Sequence, residues 1–390
     1  MNVANVFAGK PFISNGEVRS ALQTAVLQVR RNLPRFTYSC QNHTSVDNFY
    51  PPCDNDQWTC GFWPGEIWLA YEFTKDPVFK YAGLIMVQSF LGRIERKIEV
   101  DHHDMGFLYS PSCTAAYKLT GDEDARRAAI LAADQLLRRF HPVGGFLQAW
   151  GELGATDNYR YIIDCLLNLP LLHWAAKETG DTKYSETAQK HIATCIRYSI
   201  RENGSTYHTV FMDPQTGAFS RGAACQGYRD DSDWARGQAW AVYGLALNYR
   251  YTKKPQYAQA FRRVLEFYLT RLPDDLIPYW DMIFIDGDEP RDSSSASIVV
   301  CGLLEMAKHT GADEAGAYTA IARQMLKSLV DNYSVKDPAI SNGLCLHATY
   351  SKKSPYNTCT PEGVDECASW GDYFYMEALT RLHGDWDTYW

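Results

Sequence analysis

The chain has 390 residues, of which 46% are hydrophobic, and this is ample apolar material for one large core. The net charge is −8 at pH 7 and the basic residues form no stripe, so nucleic acid is not expected as a partner. No stretch approaches ~20 apolar residues, and the first residues lack a basic segment followed by an apolar one, so neither a membrane span nor a signal peptide is expected.

The predicted helices come in pairs joined by short turns that contain threonine. Glycine can adopt the left-handed conformation that ends a helix, and aspartate or threonine can cap the next helix. Two of the five turns lack glycine, so the repeat is degenerate. The spacing is typical of an array of helical hairpins. The turns lie at 74–76, 120–122, 179–181, 252–254 and 310–313.

Twelve helices are predicted in chain order. An amphipathic helix (16–33) opens the series and an apolar helix (372–382) closes it. Five pairs are expected between them, at 62–73 and 78–98, 106–119 and 123–140, 162–178 and 184–200, 236–251 and 257–272, and 293–309 and 315–332.

Nearly all-apolar helices alternate with amphipathic helices along this series. A helix that is apolar on every side is buried, whereas an amphipathic helix faces solvent on one side. Six inner helices surrounded by six outer ones form an (α/α)6 barrel, so the predicted fold class is all-α. A single domain is expected to span 1–390. An open solenoid is the alternative, but it would not need so many fully apolar helices.

Eleven cysteines are scattered along the chain without the spacing of zinc ligands. Many of them lie inside apolar helices, which is typical of reduced core cysteines. Proteins of a reducing compartment keep such thiols unpaired, so we expect a cytoplasmic protein.

The long connections all join an outer helix to the next inner helix, so they are expected at one end of the ring. Aromatic, carboxylate and other polar residues are concentrated there, and such a rim is where a ligand pocket is expected. Aromatic faces beside hydrogen-bonding groups suit a sugar, whose C–H faces are apolar and whose edge is polar. The connections are 34–61, 99–105, 141–161, 201–235, 273–292 and 333–370.

Six segments in order carry a resemblance to the unsaturated glucuronyl hydrolases of glycoside hydrolase family 88. They are DHHDMGFLYS (101–110), RYIIDCLLNLPLL (160–172), STYHT (205–209), ARGQAWAVYG (235–244), RDSSSASI (291–298) and WGDYFYMEAL (370–379). The resemblance implies an (α/α)6 barrel and no cofactor. It also implies an enzyme that removes the 4,5-unsaturated uronic acid from the non-reducing end of glycosaminoglycan oligosaccharides made by lyases.

By this resemblance Asp164 is the general acid and base, and Asp104 is the second essential carboxylate. A helix N-terminus favours an ionised carboxylate by only roughly 0.3–1 kcal/mol. Burial and a nearby like charge can raise a carboxyl pKa by up to ~3–5 units, so in a deep pocket the pKa of Asp164 is expected to rise. The alternative is that Asp164 only caps its helix.

The substrate-binding residues are also implied by the resemblance. Arg236 is expected to hold the uronate carboxylate, because a guanidinium can bind a carboxylate through two hydrogen bonds. The alternative for Arg236 is a salt bridge to Asp230, Asp231 or Asp233. The tryptophans expected to pack on the sugar are Trp58 and Trp150, and the remaining uronate-binding positions are His208, Gln226 and Trp240.

The loop at 347–353 resembles a sulfate-binding loop of some family members. Ser351 and Lys353 are the expected substrate-binding residues there. Ala348 stands where such members carry a serine, so at most a moderate preference for sulfated disaccharides is expected. The alternative is that Lys352 and Lys353 belong to a solvated charged loop.

Two other readings of the sequence concern a metal and a different activity. His102 and His103 would point about 100° apart on a helix, which suits one metal ion poorly, so a hydrogen-bonded structural pair is expected and no metal.

An unsaturated rhamnogalacturonyl hydrolase would share fold and mechanism, and a sugar-binding or epimerase toroid would share the fold. A monomer or weak homo-oligomer is expected.

Overall fold

The computed structural model describes residues 3–390, and its helices form a closed double ring. The inner helices are buried on every side: each contacts the next, and the last, Ser369–His383, packs against the first, Phe62–Thr74. The other inner segments are Met105–Tyr109 with Ser110–Thr114 and Ala115–Thr120, Cys165–Asn168 with Pro170–Thr179, Ala235–Thr252, and Ser293–Ala307.

The outer helices each bury one face against this inner ring. Pro255–Thr270, for example, buries its alanine, leucine and aromatic positions and exposes its charged ones. The remaining outer helices are Asn15–Phe36, Pro77–Glu95, Glu123–Leu137, Lys183–Tyr198 and Ala312–Ser328. The predicted all-α (α/α)6 barrel is therefore confirmed, with helix boundaries that differ from the predicted ones by a few residues.

Threonine ends four of the inner helices in the same way. Its hydroxyl donates a hydrogen bond to the carbonyl four residues earlier and accepts one from the amide two residues later, as Thr74 does with Ala70 (2.7 Å) and Asp76 (3.2 Å). Thr120, Thr179 and Thr252 repeat this arrangement. The fifth inner helix, Ser293–Ala307, ends before its threonine. The hydroxyl of Thr310 is buried without a hydrogen-bond partner.

Two inner helices that were predicted to be continuous are interrupted by proline. Pro111 cannot donate a backbone hydrogen bond, and the chain forms a π-helical turn over Ser110–Thr114. Pro170 separates Cys165–Asn168 from Pro170–Thr179 for the same reason. Both interruptions follow directly on the segments that carry Asp104 and Asp164.

The long connections contain short antiparallel strands that the sequence analysis did not predict. The largest sheet, here called the rim sheet, consists of Arg160–Ile162, Thr209–Met212 and Phe219–Ala223, with Thr209–Met212 in the centre. The predicted helix start at Ile162 was wrong, because this residue ends a strand. The other strand pairs are Cys40–Gln41 with Pro52–Cys53, Phe140–His141 with Phe146–Leu147, and Ala348–Ser351 with Glu362–Glu366. A further short helix, Val3–Phe7, packs on Pro255–Thr270.

Within residues 3–390, no helix is long and apolar enough to cross a membrane.

Candidate active site

A cavity of about 500 Å³ opens at the end of the ring where the long connections lie, as the sequence predicted. Nine of the ten predicted site residues line it; the exception is Lys353. The lining residues are Trp58, Asp104, Trp150, Arg160, Ile162, Asp164, His208, Cys225, Gln226, Trp234, Arg236, Trp240, Tyr350, Ser351, Thr358, Cys359, Thr360 and Glu362.

Asp104 and Asp164 lie side by side on the floor of this cavity. Each directly precedes an inner helix, and one carboxylate oxygen of each lies within 4.8 Å of the other and of a ring nitrogen of His103. The prediction that the two carboxyls share one site is thereby confirmed. The side chain of Asp104 is 2% exposed and that of Asp164 is 15% exposed, so Asp164 is the carboxyl that faces the cavity.

The backbone around Gly106 explains why the two carboxyls come so close. A Cβ atom at Gly106 would lie 2.4 Å from Cα of Asn168, so only glycine allows the two inner helices to touch here. Asn168 then links them: its Oδ1 accepts a hydrogen bond from the Phe107 amide (2.8 Å), and its Nδ2 donates to Oδ1 of Asp104 (3.3 Å).

His103 lies between the two carboxyls. Its Nε2 is 3.3 Å from Oδ1 of Asp104 and 3.5 Å from Oδ1 of Asp164, but neither ring nitrogen makes a hydrogen bond of good geometry. Burial and the nearby histidines and arginines hold its pKa well below the usual value, so the ring is neutral. His103 therefore does not supply a positive charge that would keep the carboxyls ionised.

Both carboxyls have raised pKa values, which the sequence argument expected for Asp164. Burial raises the pKa of Asp104 to about 8, opposed by hydrogen bonds from Asn168 and Trp150. Burial and the neighbouring Asp104 raise the pKa of Asp164 well above its usual value, opposed by Arg236 and Arg160. The side chain of Asp164 makes no capping hydrogen bond, so the capping alternative is wrong. The pair can hold a proton at neutral pH.

Trp150 is held in place by the first histidine of the pair. Its ring stacks on His102 at a centroid distance of 4.2 Å and an interplanar angle of 4°. Nδ1 of His102 accepts from the Asp104 amide (3.1 Å), which leaves the proton on Nε2 for the Glu99 carbonyl (3.1 Å). The expected structural histidine pair is thus right for His102 and wrong for His103.

Trp58 forms the opposite aromatic wall. It stacks on Trp370 at 5.4 Å with an interplanar angle of 25°, and Tyr350 lies 6.4 Å away. Trp240 is 1% exposed and packs on Phe107 at 5.0 Å below the cavity. The cavity thus has half-buried tryptophans on its walls, where a sugar ring can pack.

Arg236 is enclosed by polar partners and aromatic rings. Its Nη1 donates to Oδ2 of Asp292 (3.2 Å) and its Nη2 to the Tyr350 carbonyl (2.7 Å), and the guanidinium lies over the Trp234 and Trp370 rings at 4.5 and 4.8 Å. Its Nε is buried without a partner. The alternative of a salt bridge to Asp230, Asp231 or Asp233 was wrong, because the partner is Asp292 from the next inner helix.

His208 and Gln226 lie on the rim sheet side of the cavity. Nδ1 of His208 accepts a hydrogen bond from the Cys225 amide (2.9 Å), so the neutral ring carries its proton on Nε2. Burial lowers the pKa of His208 to about 3, which keeps it neutral. The Gln226 amide group donates to the Tyr350 carbonyl (3.3 Å) and connects this wall to the 348–351 strand.

The loop at 347–353, here called the lysine loop, follows the prediction only in part. Ser351 lines the cavity, with its hydroxyl donating to the Thr360 carbonyl (2.7 Å). The Lys353 ammonium donates to the Asn357 carbonyl (2.6 Å) within its own loop, and that of Lys352 pairs with Glu289 (2.5 Å). Neither ammonium lies on the cavity wall.

Three donor groups have the spacing of a possible cation site, namely His103, Asp104 and Asp164. A metal needs deprotonated ligands, and the raised pKa values of both carboxyls oppose its binding.

Several residues at the site were not recognised from the sequence. Arg160 and Trp234 flank predicted motif residues. Tyr350 lies in the 333–370 connection, whose strand pairing cannot be read from the local sequence. The position of Arg160 four residues before Asp164 was the available signal, but only the strand over Arg160–Ile162 shows that the side chain points into the mouth.

Comparison with known proteins identifies similar chains across nearly the whole length. The model of Glycosyl Hydrolase Family 88 matches residues 32–380. The unsaturated chondroitin disaccharide hydrolase of Streptococcus pneumoniae is 45% identical over 387 residues, which cover 98% of this chain and 96% of that protein. The crystal structure of an unsaturated glucuronyl hydrolase from Streptococcus agalactiae superimposes with a TM-score of 0.94 at 43% identity, covering 99% of this chain and 96% of that one. A variant of that enzyme, crystallised with dGlcA-GalNAc6S, has a TM-score of 0.86 at 40% identity, with the same coverage.

Proposed function

The chain belongs to glycosyl hydrolase family 88 and is a glycoside hydrolase, and we propose that it releases the 4,5-unsaturated uronic acid from lyase-generated glycosaminoglycan disaccharides. The observation that carries the proposal is the buried carboxyl pair on the cavity floor, in which Asp164 faces the cavity with a raised pKa. The relatives named for chondroitin disaccharides and the relative crystallised with dGlcA-GalNAc6S support the substrate class.

The reaction begins with proton transfer from Asp164. The C4=C5 double bond of the substrate is part of a vinyl ether, because C5 also bears the ring oxygen. Protonation of C4 places positive charge on C5, where the ring oxygen stabilises it. A carboxyl that is still protonated at neutral pH can serve as this general acid, and the raised pKa of Asp164 meets that requirement.

The same residue then acts as the base. Asp164, now a carboxylate, takes a proton from water as the water oxygen bonds to C5. The resulting hemiketal opens to a C5 ketone and leaves a hemiacetal at C1, which collapses and releases the second sugar. One water is consumed, and Asp164 returns to its protonated form. Asp104 supports the cycle because its proximity raises the pKa of Asp164.

The cavity walls hold the sugar during these steps. Trp58 and Trp150 provide apolar faces for the ring, and Trp240 closes the floor. His208 can donate through Nε2 and Gln226 through its amide, and both line the cavity. Arg236 supplies the positive field for the uronate carboxylate through its unpartnered Nε, since its terminal nitrogens donate to protein groups.

The test is loss of the ultraviolet absorbance of the conjugated double bond. Wild-type protein is added to unsaturated chondroitin and hyaluronan disaccharides, with Asp164→Asn as the control for contaminating activity. We expect absorbance loss with wild type only. Absorbance loss with an unsaturated pectin disaccharide and none with the glycosaminoglycan substrates would instead indicate a rhamnogalacturonyl hydrolase, and no loss with any substrate would contradict the proposal.

We also propose a cytoplasmic enzyme with one catalytic domain over 1–390 that is a monomer or weak homo-oligomer. The eleven free cysteines support a reducing compartment. Cell fractionation and sedimentation of the purified protein test the location and the oligomeric state.

A further inference from the structure

Three cysteines of the 34–61 connection lie together. Cys40 is directly opposite Cys53 in a two-stranded sheet, and opposed residues of antiparallel strands have Cα atoms about 4.5–5.5 Å apart. Sγ of Cys60 lies 3.5 Å from the carbonyl oxygen of Asp54, the residue that follows Cys53. The thiols of Cys40 and Cys53 both hydrogen-bond to that of Cys60. Cys60 is therefore the central member of this group of three, here called the thiol cluster.

A buried arginine lies beside the thiol cluster and donates only to neutral groups. Arg93 is 1% exposed, and its guanidinium donates to the carbonyls of Asp56 (3.0 Å) and Gln57 (2.9 Å) and to Oδ1 of Asn55 (3.0 Å). Among residues 3–390, no carboxylate forms an ion pair with it. Burial raises the pKa of Asp56, although the charge of Arg93 opposes that rise. A buried cation without a carboxylate partner favours negative charge on a nearby thiol.

Cys60 is the member of the thiol cluster that ionises most readily. Burial opposes its ionisation, but hydrogen bonds from Cys40 and Cys53 and the charge of Arg93 hold its pKa well below the usual value. Hydrogen bonding to Cys60 and burial raise the pKa of the other two thiols. The thiolate, not the thiol, is the nucleophilic form of cysteine. The cluster thus combines one nucleophile with two protonated thiols that are hydrogen-bonded to it.

A second cavity gives small molecules access to the thiol cluster. It has a volume of about 430 Å³ and lies between the first long connection and the outer helix Pro77–Glu95. Cys40 and Arg93 both line it. Cys53 is partly exposed, whereas the other two thiols are buried. An oxidant little larger than water can therefore reach the cluster.

We propose that the thiol cluster is an oxidation site, at which hydrogen peroxide converts Cys53 and Cys60 to a disulfide that reversibly lowers activity. The Cys60 thiolate attacks one peroxide oxygen: an S–O bond forms, the O–O bond breaks, and the departing hydroxide takes up a proton and becomes water. The Cys53 thiol then attacks the sulfur of this sulfenic acid: the S–S bond forms, the S–O bond breaks, and the hydroxide leaves with the Cys53 proton as water. Both sulfurs are oxidised, and the two peroxide oxygens are reduced to two waters.

Cys53 is assigned as the partner of Cys60 because of its place in the fold. It ends a two-residue strand and is partly exposed, so it can shift towards the oxidised sulfur. Cys40 is fully buried on the opposite strand. A dithiol reductant reverses the reaction by thiol–disulfide exchange.

The disulfide changes the wall of the substrate cavity. It closes residues 54–59 into a loop, and this loop contains Trp58, which lines the cavity. Arg93 holds the loop and also donates to the Glu99 carbonyl (2.7 Å), which accepts from the histidine that stacks on Trp150. Movement of the loop is thereby transmitted to both tryptophan walls. This loss of activity rests on the proposed function, whereas formation of the disulfide does not.

Peptide mapping of the oxidised protein tests the site directly. The reduced protein is treated with hydrogen peroxide, the remaining thiols are blocked with N-ethylmaleimide, and the peptides are identified by mass spectrometry. We expect a Cys53–Cys60 link as the main product, and dimedone added during oxidation should label the sulfenic acid on Cys60. A different main link, or a Cys60 that stays reduced, would overturn the proposal.

Activity measurements test the effect on the substrate cavity. Peroxide should lower kcat/KM of the wild type roughly 10- to 100-fold, the cost of a misplaced binding group, and dithiothreitol should restore it. Cys60→Ser should resist this loss. Cys301→Ser is the matched control, because this buried thiol of an inner helix donates to the Phe374 carbonyl (3.3 Å), and it should lose activity as the wild type does. Equal losses in Cys60→Ser would place the oxidation elsewhere and overturn the proposal.

A second variant keeps the test decisive if Cys60→Ser does not fold. Cys53→Ser removes the disulfide partner, so a peroxide-induced loss that dithiothreitol still reverses in full would overturn the proposal. If the reduced wild type degrades no unsaturated disaccharide, the proposed function fails. Peptide mapping needs no turnover and still decides whether Cys53 and Cys60 are the oxidation site.

Discussion

Asn168 is the side chain that links the segments of Asp104 and Asp164, and replacing it by alanine tests the site geometry. Asn168 is fully buried, and its Oδ1 accepts from the Phe107 amide at 2.8 Å. The alanine variant leaves this buried N–H without a partner, and such a loss costs about 1–3 kcal/mol of stability. We expect the free energy of unfolding to fall by that amount in urea titrations.

The same substitution should act on the carboxyl pair. Nδ2 of Asn168 donates to Oδ1 of Asp104 at 3.3 Å and stabilises the carboxylate form. Without it the pKa of Asp104 should rise above its value of about 8, so the limb of the pH–activity profile that reports this group moves to higher pH. Because Asp104 also loses its positioning contact, kcat/KM should fall roughly 10- to 100-fold.

The matched control is Asn248→Ala. Asn248 is equally buried and donates to the Leu166 and Gly244 carbonyls (2.9 and 2.7 Å), but it touches neither carboxyl. It should lose comparable stability and keep the wild-type pH profile. If both variants lose activity equally and neither profile moves, Asn168 has only a structural role and the reasoning is refuted.

Three further predictions concern other parts of the site. Asp164→Asn should keep the fold and disaccharide binding yet lose ~10²–10⁴ in kcat, whereas near wild-type turnover would move the acid/base role to Asp104. Lys353→Ala tests the sulfate prediction for the lysine loop: a loss on sulfated disaccharides alone, shrinking with salt, would support it, and equal losses on both would remove it. Burial raises the pKa of Asp372 to about 7, so the folded state keeps a proton that the unfolded chain has lost. That stability is present at low pH and lost as pH rises through the folded pKa. The difference in unfolding free energy between wild type and Asp372→Asn should therefore fall from about pH 4 to pH 8, and a constant difference across that window would contradict the shift.

Local sequence determined the helical ring. Threonine at the end of the inner helices uses only neighbouring backbone groups, as at Thr74 and Thr120, so the turns can be read without tertiary information. Helices apolar on every side can only be buried, which places them inside the ring. The resemblance then placed Asp104 and Asp164 together, and their shared cavity agrees with it.

Tertiary structure decided what depends on partners far apart in the chain. The ion partner of Arg236 is Asp292, 56 residues away, although three aspartates lie closer in sequence. The neutral state of His103 and the raised pKa of Asp164 come from burial, which no local pattern reports. Arg160, Phe211 and Arg221 lie opposite one another only because the three strands of the rim sheet pair in one register. Contacts of this kind are set by packing across the ring, so the sequence determines the elements, whereas the charges and distances of the site appear only once the ring has closed.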